Sequence, residues 1–223
     1  MGAGKKKALK VGFDNRVRLV FRNAEISSDG GLLAIRDFDE SFLLTQLACK
    51  ELSETRTGRN IRHQMHSLIR QSVYSRLAGY EDVNDAERMA QDPVMRMICG
   101  LKDFDYNAAG STTMARFETE ILTQDENLEE LESINLLWPI FARHKRQTEA
   151  ILDIDSSESP VWGEQEGSQY NWYFQSRCFH PLFTFNQYGD CLAATLRPGN
   201  VHSADGWKQH LAPVVEIHET HRL

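Results

Sequence analysis

No stretch of this 223-residue chain approaches the roughly 20 apolar residues that a membrane-spanning helix needs. Nor does an apolar secretory core follow the basic start Met1-Gly-Ala-Gly-Lys-Lys-Lys, so the expected compartment is the cytoplasm and no membrane partner is expected. Paired cysteines are missing as well. Cys49, Cys99, Cys178 and Cys191 stand far apart without a CxxC motif, which points to buried thiols rather than a zinc site or a disulfide framework. An excess of positive charge is also absent: the formal net charge is −7, which by itself argues against a nucleic-acid partner. What is present is an ordinary soluble composition, 41% hydrophobic and 26% charged, sufficient for one large domain or two small ones.

The charges are unevenly placed. From Met1 to Arg22, Lys5, Lys6, Lys7, Lys10, Arg16, Arg18 and Arg22 stand against a single acid, Asp14. From Arg56 to Arg76, Arg56, Arg59, Arg62, Arg70 and Arg76 occur with no acid at all, whereas Asp125, Glu126, Glu129, Glu130 and Glu132 crowd together elsewhere. Local basic patches bind phosphates whatever the total charge, and they equally form solvated helix faces.

Taken in order, Val17–Phe21 alternates apolar and basic residues and predicts a short strand. Ser27-Ser28-Asp29-Gly30-Gly31 is a turn able to start a helix over Leu32–Cys49, with Leu33, Phe38, Phe42, Leu43 and Leu47 facing inward. Asn60 is placed to cap a second helix whose apolar face is Ile61, Met65, Leu68, Ile69, Val73 and Leu77. Asn84 or Asp85 starts a short helix through Met89, and Asp92-Pro93 another that buries Val94, Met97 and Ile98. Ser111-Thr112-Thr113 followed by Arg116 has the letters of a helix start facing phosphates; a capped helix with Phe117 in the core explains the same letters. A long amphipathic helix fits Leu122 to Arg146.

The character changes at Ala150. Ile151-Leu152-Asp153-Ile154-Asp155-Ser156-Ser157 reads as a strand ending in carboxylates. Glu158–Asn171 is polar, with Gly163 and Gly167 as breakers. Trp172–Phe185 predicts an aromatic-rich strand, Asn186–Asp190 a hairpin turn, Cys191–Leu196 the returning strand and Gly206–His221 a helix. The fold class is therefore α+β. Three strands in a meander followed by a helix open a ribonuclease-H-like sheet, among other α+β arrangements.

A carboxylate at a strand end is a hard ligand suited to Mg²⁺, and paired ions of this kind activate water in phosphodiester chemistry. Asp155 is the better ligand candidate because the Ser156-Ser157 turn follows it; Asp153, two residues earlier, shares its face. The same pattern occurs in phosphatases, in nucleotidyl transferases and at solvent-facing strand ends. Glu164 and Glu166 are expected to be solvated, His180 to be a core histidine, and His202 to lie in a loop near substrate.

Several stretches together resemble the DDE transposases of bacterial insertion sequences, in the insertion-sequence 1380 group. They are Ser27–Leu33, Arg62-His63, Leu77–Asp85, Asp92-Pro93, Ser111–Phe117, Leu152–Asp155, Gly163–Gly167 and Leu196–Asn200, in family order over nearly the whole chain. The resemblance implies a helical DNA-binding region (1–148) and a ribonuclease-H-like catalytic domain (149–223) that handles the terminal inverted repeats of a mobile element. It implies a metal, Mg²⁺ or Mn²⁺, held by Asp, Asp and Glu, with Asp155 as the first acid and Asp153 beside it. DNA contacts are expected from Arg59, Arg62, Arg70, Ser111, Thr112 and Arg116. The family's second Asp and its Glu lie beyond the position of Leu223. The expectation is thus a truncated N-terminal part, incomplete in its catalytic domain and inactive alone, that works with a complementing C-terminal fragment or as a homo-oligomer. The competing expectation is a DNA-binding fragment that occupies transposon ends and represses transposition.

Overall fold

The computed structural model describes residues 9–20, 29–58, 61–101, 106–142 and 149–221. Lys5, Lys6, Lys7, Arg22, Ser27, Ser28, Arg59 and Asn60 lie outside these residues. The chain forms two compact units, Met1–Leu131 and Glu132–Leu223.

In the first unit, β1 (Leu9–Lys10) pairs antiparallel with β2 (Arg18–Leu19), so the strand expected over Val17–Phe21 contributes two paired residues. The helix expected over Leu32–Cys49 is two helices, α1 (Leu32–Phe42) and α2 (Leu44–Glu51), broken at Leu43, whose φ of 60° is left-handed. Asp39 accounts for the break. Its carbonyl accepts the Leu43 N–H at 2.7 Å, and its carboxylate accepts the Thr45 N–H at 2.9 Å, capping α2. The change of direction corrects the expected inward face. Leu33 is buried as expected, but Phe38, Phe42 and Leu43 are exposed, and Leu32, Thr45 and Ala48 are buried in their place.

The next helix, α3 (Met65–Leu77), starts at Met65 rather than at Ile61. Leu68 and Ile69 are buried as its pattern predicts, but Leu77 is exposed, and the buried face also holds Ser67, Gln71 and Tyr74. Buried polar groups need partners, and these have them. The Gln71 amide donates to the Ala109 carbonyl at 2.6 Å and accepts the Ala109 N–H at 2.8 Å; the Ser67 hydroxyl donates to the Cys99 carbonyl at 2.7 Å. A 3₁₀ turn (Val83–Asp85), capped by Asp82, leads into α4 (Ala86–Met89). Asp92 caps α5 (Pro93–Ile98) by accepting from Val94 and Met95, as Asp-Pro predicts. Leu32, Tyr74, Met89, Met95, Ile98, Cys99 and Ala108 form the core. Burial pushes the Cys99 thiol up to about 12, and all four cysteines are free. α6 (Ser111–Arg116) then runs into a π-helical turn (Phe117–Ile121), with Phe117 buried, and α7 follows (Asp125–Ala142).

The division between units falls within α7, N-terminal to the boundary expected at 148/149. The reason is local: Leu136 enters the second unit's core, and the Asn135 amide donates to the Cys191 and Leu192 carbonyls at 3.1 and 2.9 Å. In this unit β3 (Leu152–Ser156), β7 (Leu182–Asn186) and β8 (Cys191–Thr195) make an antiparallel sheet in the order β3-β7-β8, with β3 at its edge. β4 (Ser159–Pro160), β5 (Gln169–Asn171) and β6 (Ser176–Phe179) make a second sheet in the order β4-β6-β5. The single strand expected over Trp172–Phe185 is therefore corrected to a turn and two strands. The Asn171 side-chain Oδ1 accepts the Tyr173 and Phe174 N–H groups at 2.9 and 3.1 Å, which bends the chain there. Buried Pro181, without an N–H to give a ladder, separates β6 from β7.

The hairpin Asn186–Asp190 is as expected, with the Asn186 side chain accepting from Tyr188 and Asp190. α8 (Trp207–His221) packs Leu211, Val214 and Ile217 with Leu152, Leu192 and Ala193. It is tied to the sheet by buried His210, whose ring nitrogens meet the Thr184 and Thr195 hydroxyls at 2.9 and 2.7 Å. Among the described residues no helix is long and apolar enough to cross a membrane.

Gln71→Ala leaves the Ala109 N–H and C=O buried without their partner, and the expected loss is about 1–3 kcal/mol for each group, measurable by urea unfolding. His66 and His210 are held below the ordinary histidine range, first by desolvation and then by nearby arginines. The unfolded chain then binds protons more readily than the folded one, so stability is full above the ordinary histidine value of about 6.5 and falls as pH drops below it. Unfolding free energies measured between neutral and mildly acid pH are expected to show this slope, and His210→Gln to flatten it.

Candidate functional site

The strand β3 has a period of two, and this decides where its acids go. Leu152 packs into the apolar core beneath the sheet, while Asp153 and Asp155 alternate onto the other face and are exposed. The register sets Asp153 opposite Phe185 and Asp155 opposite Phe183 on β7. The shared face expected for the two acids is therefore present. Exposure also removes the cost of a buried carboxylate. Asp155 is turned along the chain: its Oδ1 accepts the Ser156 N–H at 2.8 Å.

Among the described residues no group of three or more His, Cys, Asp or Glu gathers at one point. Glu164 and Glu166 are exposed in the loop between β4 and β5. His180 is buried, with its Nδ1 3.1 Å from the Val201 carbonyl, which is a core role. His202 lies in the loop before α8, its Nδ1 accepting the Ala204 N–H. Asp153 and Asp155 have the donor chemistry that a hard divalent cation takes, but such ions draw on more oxygens than these two supply. The described residues do not complete a metal site.

The residues expected to contact DNA divide into two kinds. Arg62 is exposed and lies over the Tyr106 ring, 5.1 Å from its centroid, and Thr112 is exposed at the start of α6. Arg116, with a 71% exposed side chain, is 4.0 Å from Glu120. It lines a cleft of about 380 Å³ with Arg56, Thr55 and Thr113. Arg70 and Ser111 are already engaged. Arg70 is largely buried, donates to the Thr45 hydroxyl at 3.3 Å and lies 3.9 Å from Glu40, within a cluster that includes Arg36, Asp39 and Tyr74. At Ser111 the backbone N–H and the hydroxyl both donate to Glu87 Oε1, at 3.1 and 3.2 Å. The Glu87 carboxylate holds the place that an anion takes at a helix start. Arg59 lies outside the described residues.

The second unit carries a further feature that its sequence pattern hides. The turn after Asn171 holds Trp172 and Tyr173 out to solvent, beside a cleft of about 650 Å³ that starts at Ser156. The Asn171 motif, an amide before three aromatic residues, was the available signal, but β-prone aromatics read first as strand.

The family model described as Transposase DDE domain group 1 matches residues 9–223. The chain belongs to this family of DDE transposases, enzymes of DNA transposition that use divalent metal ions. Neither the curated proteins nor the solved structures gave a significant match.

The two kinds of arginine separate by experiment. Arg70→Ala is expected to lower the melting temperature of the chain, because it strips a partner from a buried charge cluster. Arg116→Ala is expected to leave the unfolding free energy within about 0.5 kcal/mol of wild type, as an exposed substitution. Thermal unfolding followed by circular dichroism reads both.

Proposed function

We propose that this chain is a cytoplasmic insertion-sequence transposase of the 1380 group, acting on the terminal inverted repeats of its element, with Asp155 as the first catalytic carboxylate and Asp153 beside it. The observation that carries the reading is the placement of Asp155 on the exposed face of an edge strand, in a chain whose family match runs from residue 9 to 223. The order β3-β7-β8 followed by α8 supports a ribonuclease-H-like sheet in which β3 is the first strand and its free edge takes the next one. On this reading Mg²⁺ or Mn²⁺ binds once further acids, from a complementing fragment or another copy, join Asp155. The helical first unit is the DNA-binding region, and Arg62, Thr112 and Arg116 are its contacts; Arg70 and Ser111 contribute by holding its shape.

A second reading has its own support. Because no third acid joins the aspartates among the described residues, the chain alone is suited to occupy transposon ends without cutting them, and so to repress transposition.

The test is a gel shift with duplex terminal repeats, followed by a cleavage assay in Mg²⁺ and in Mn²⁺. The expected outcome is salt-sensitive binding, weakened several-fold by Arg62→Ala or Arg116→Ala, with no cleavage by the chain alone. Cleavage restored by a fragment carrying the remaining acids, and lost again with Asp155→Asn, assigns Asp155. Absence of any preference for the repeat over random DNA sinks both readings; metal-dependent cutting by the chain alone sinks the repressor.

A further inference from the structure

The run from Arg56 to Arg76 has no acid of its own, yet the fold brings acids to it from outside. Arg70 lies 3.9 Å from Glu40, and Arg76 donates to Glu118 at 2.9 Å. At Arg56 the pairing is two-pronged. Its Nε donates to Glu54 Oε1 at 2.7 Å and its Nη2 donates to Glu54 Oε2. Its Nη1 donates to the His63 carbonyl at 2.9 Å. Glu54 Oε1 also accepts the Arg56 backbone N–H at 3.1 Å, so the carboxylate is held by main chain and side chain together.

Arg56 lines the cleft of about 380 Å³ that it shares with Arg116, Thr55 and Thr113; buried Leu68, Phe117 and Ile121 complete the lining. Two guanidiniums and two hydroxyls are the chemistry that receives a phosphate. Each guanidinium, however, already has a carboxylate, and the two pairs differ in strength. Glu120 lies 4.0 Å from Arg116, beyond hydrogen-bond reach, and both side chains are mostly exposed. The Arg56–Glu54 pair is bonded at two points, with side chains 27% and 33% exposed. Glu54 is the tight partner and Glu120 the loose one.

A carboxylate on a guanidinium fork offers two oxygens, as a phosphodiester does. The two groups therefore compete for one edge, the Nε and Nη2 of Arg56. Arg56 holds the Glu54 carboxyl below the ordinary carboxylate range, first through their side-chain hydrogen bond, so it is charged at neutral pH. When a phosphate takes the edge, the DNA sheds a counterion, while the freed Glu54 gathers a cation from solution. The two changes nearly cancel, so the exchange adds little to affinity and little to its salt dependence.

We propose that Glu54 is an autoinhibitory carboxylate, which occupies the Arg56 edge of this cleft until a DNA backbone phosphate displaces it, and so holds down affinity for DNA of any sequence. The occupant is a phosphate because the charged and donor groups of the lining suit an anion, and phosphates carry no sequence information. This inference rests on the DNA-binding reading of the helical unit given above. It also reconciles that reading with a net charge of −7: an arginine answered internally stays silent until DNA arrives.

The test uses the whole chain and fluorescence anisotropy with two labelled duplexes, one terminal repeat and one random sequence, over a series of salt concentrations. Glu54→Gln removes the charge but keeps the oxygen that accepts from Arg56, so its melting temperature is expected near that of wild type. It is expected to tighten both duplexes equally, by about two- to fivefold, the worth of a surface ion pair. The slope of log affinity against log salt steepens by about one, because cation uptake by Glu54 is gone. Glu120→Gln gives a smaller gain. Glu81→Gln, the same charge change at another exposed position of this unit, leaves the slope at its wild-type value. Arg56→Ala added to Glu54→Gln abolishes the gain. Affinity and slope of Glu54→Gln equal to those of Glu81→Gln overturn the inference and leave the DNA-binding reading standing. A gain that survives Arg56→Ala also overturns it. No binding of either duplex by wild type or any variant overturns both.

Discussion

Everything at the strand end depends on the two-residue period of β3. Leu152 anchors the strand to α8, and because a strand has only two faces, that contact commits Asp153 and Asp155 to the opposite, solvated side. A one-residue slip against β7 would carry both carboxylates into the apolar core. The fivefold register from Leu152↔Asn186 to Ser156↔Leu182 and the clasp of His210 across Thr184 and Thr195 oppose that slip. The position of the candidate catalytic acid is therefore a consequence of what lies beneath it.

The first unit follows a different plan. Its helices are short, and their meeting points are polar. Gln71 grips Ala109, Ser67 grips Cys99, and Asp39 gathers Thr45 and Tyr74. Such buried bonds add modest net stability but penalise any other arrangement. They also consume charges that composition alone would assign to a ligand: Arg70 and Arg36 belong to the architecture, while Arg62 and Arg116 remain at the surface. A patch of arginines in sequence is thus a mixture of structural and available cations.

Much of this was legible in the residues. Asp92-Pro93, the Asn186 hairpin, the strand through Asp155 and the C-terminal helix each follow from local chemistry: a cap, a turn residue, an alternation. What escaped was set by contacts across the chain. The break at Leu43 needs Asp39 to choose Thr45 as partner, which helical periodicity cannot show. The division of Trp172–Phe185 needs Asn171 to hold Gly199, a residue from another loop. The candidate site was half legible for the same reason: the aspartates are local in sequence, whereas the aromatic cleft joins 156, 170–174, 180 and 200–203.

Asn127 has a role in time as well as in space. Fully buried, it accepts the Ser53 N–H at 2.7 Å and donates to the Ser53 and Ile121 carbonyls, joining positions 74 residues apart. During synthesis at roughly 5–20 residues per second, Ser53 therefore waits about 4–15 s for its partner to be made. Until then the polar edge after α2 has only water to bond. The helical unit cannot finish closing on the ribosome before the first turn of α7 has been translated, so the rhythm of translation around that turn sets when this half of the molecule can close.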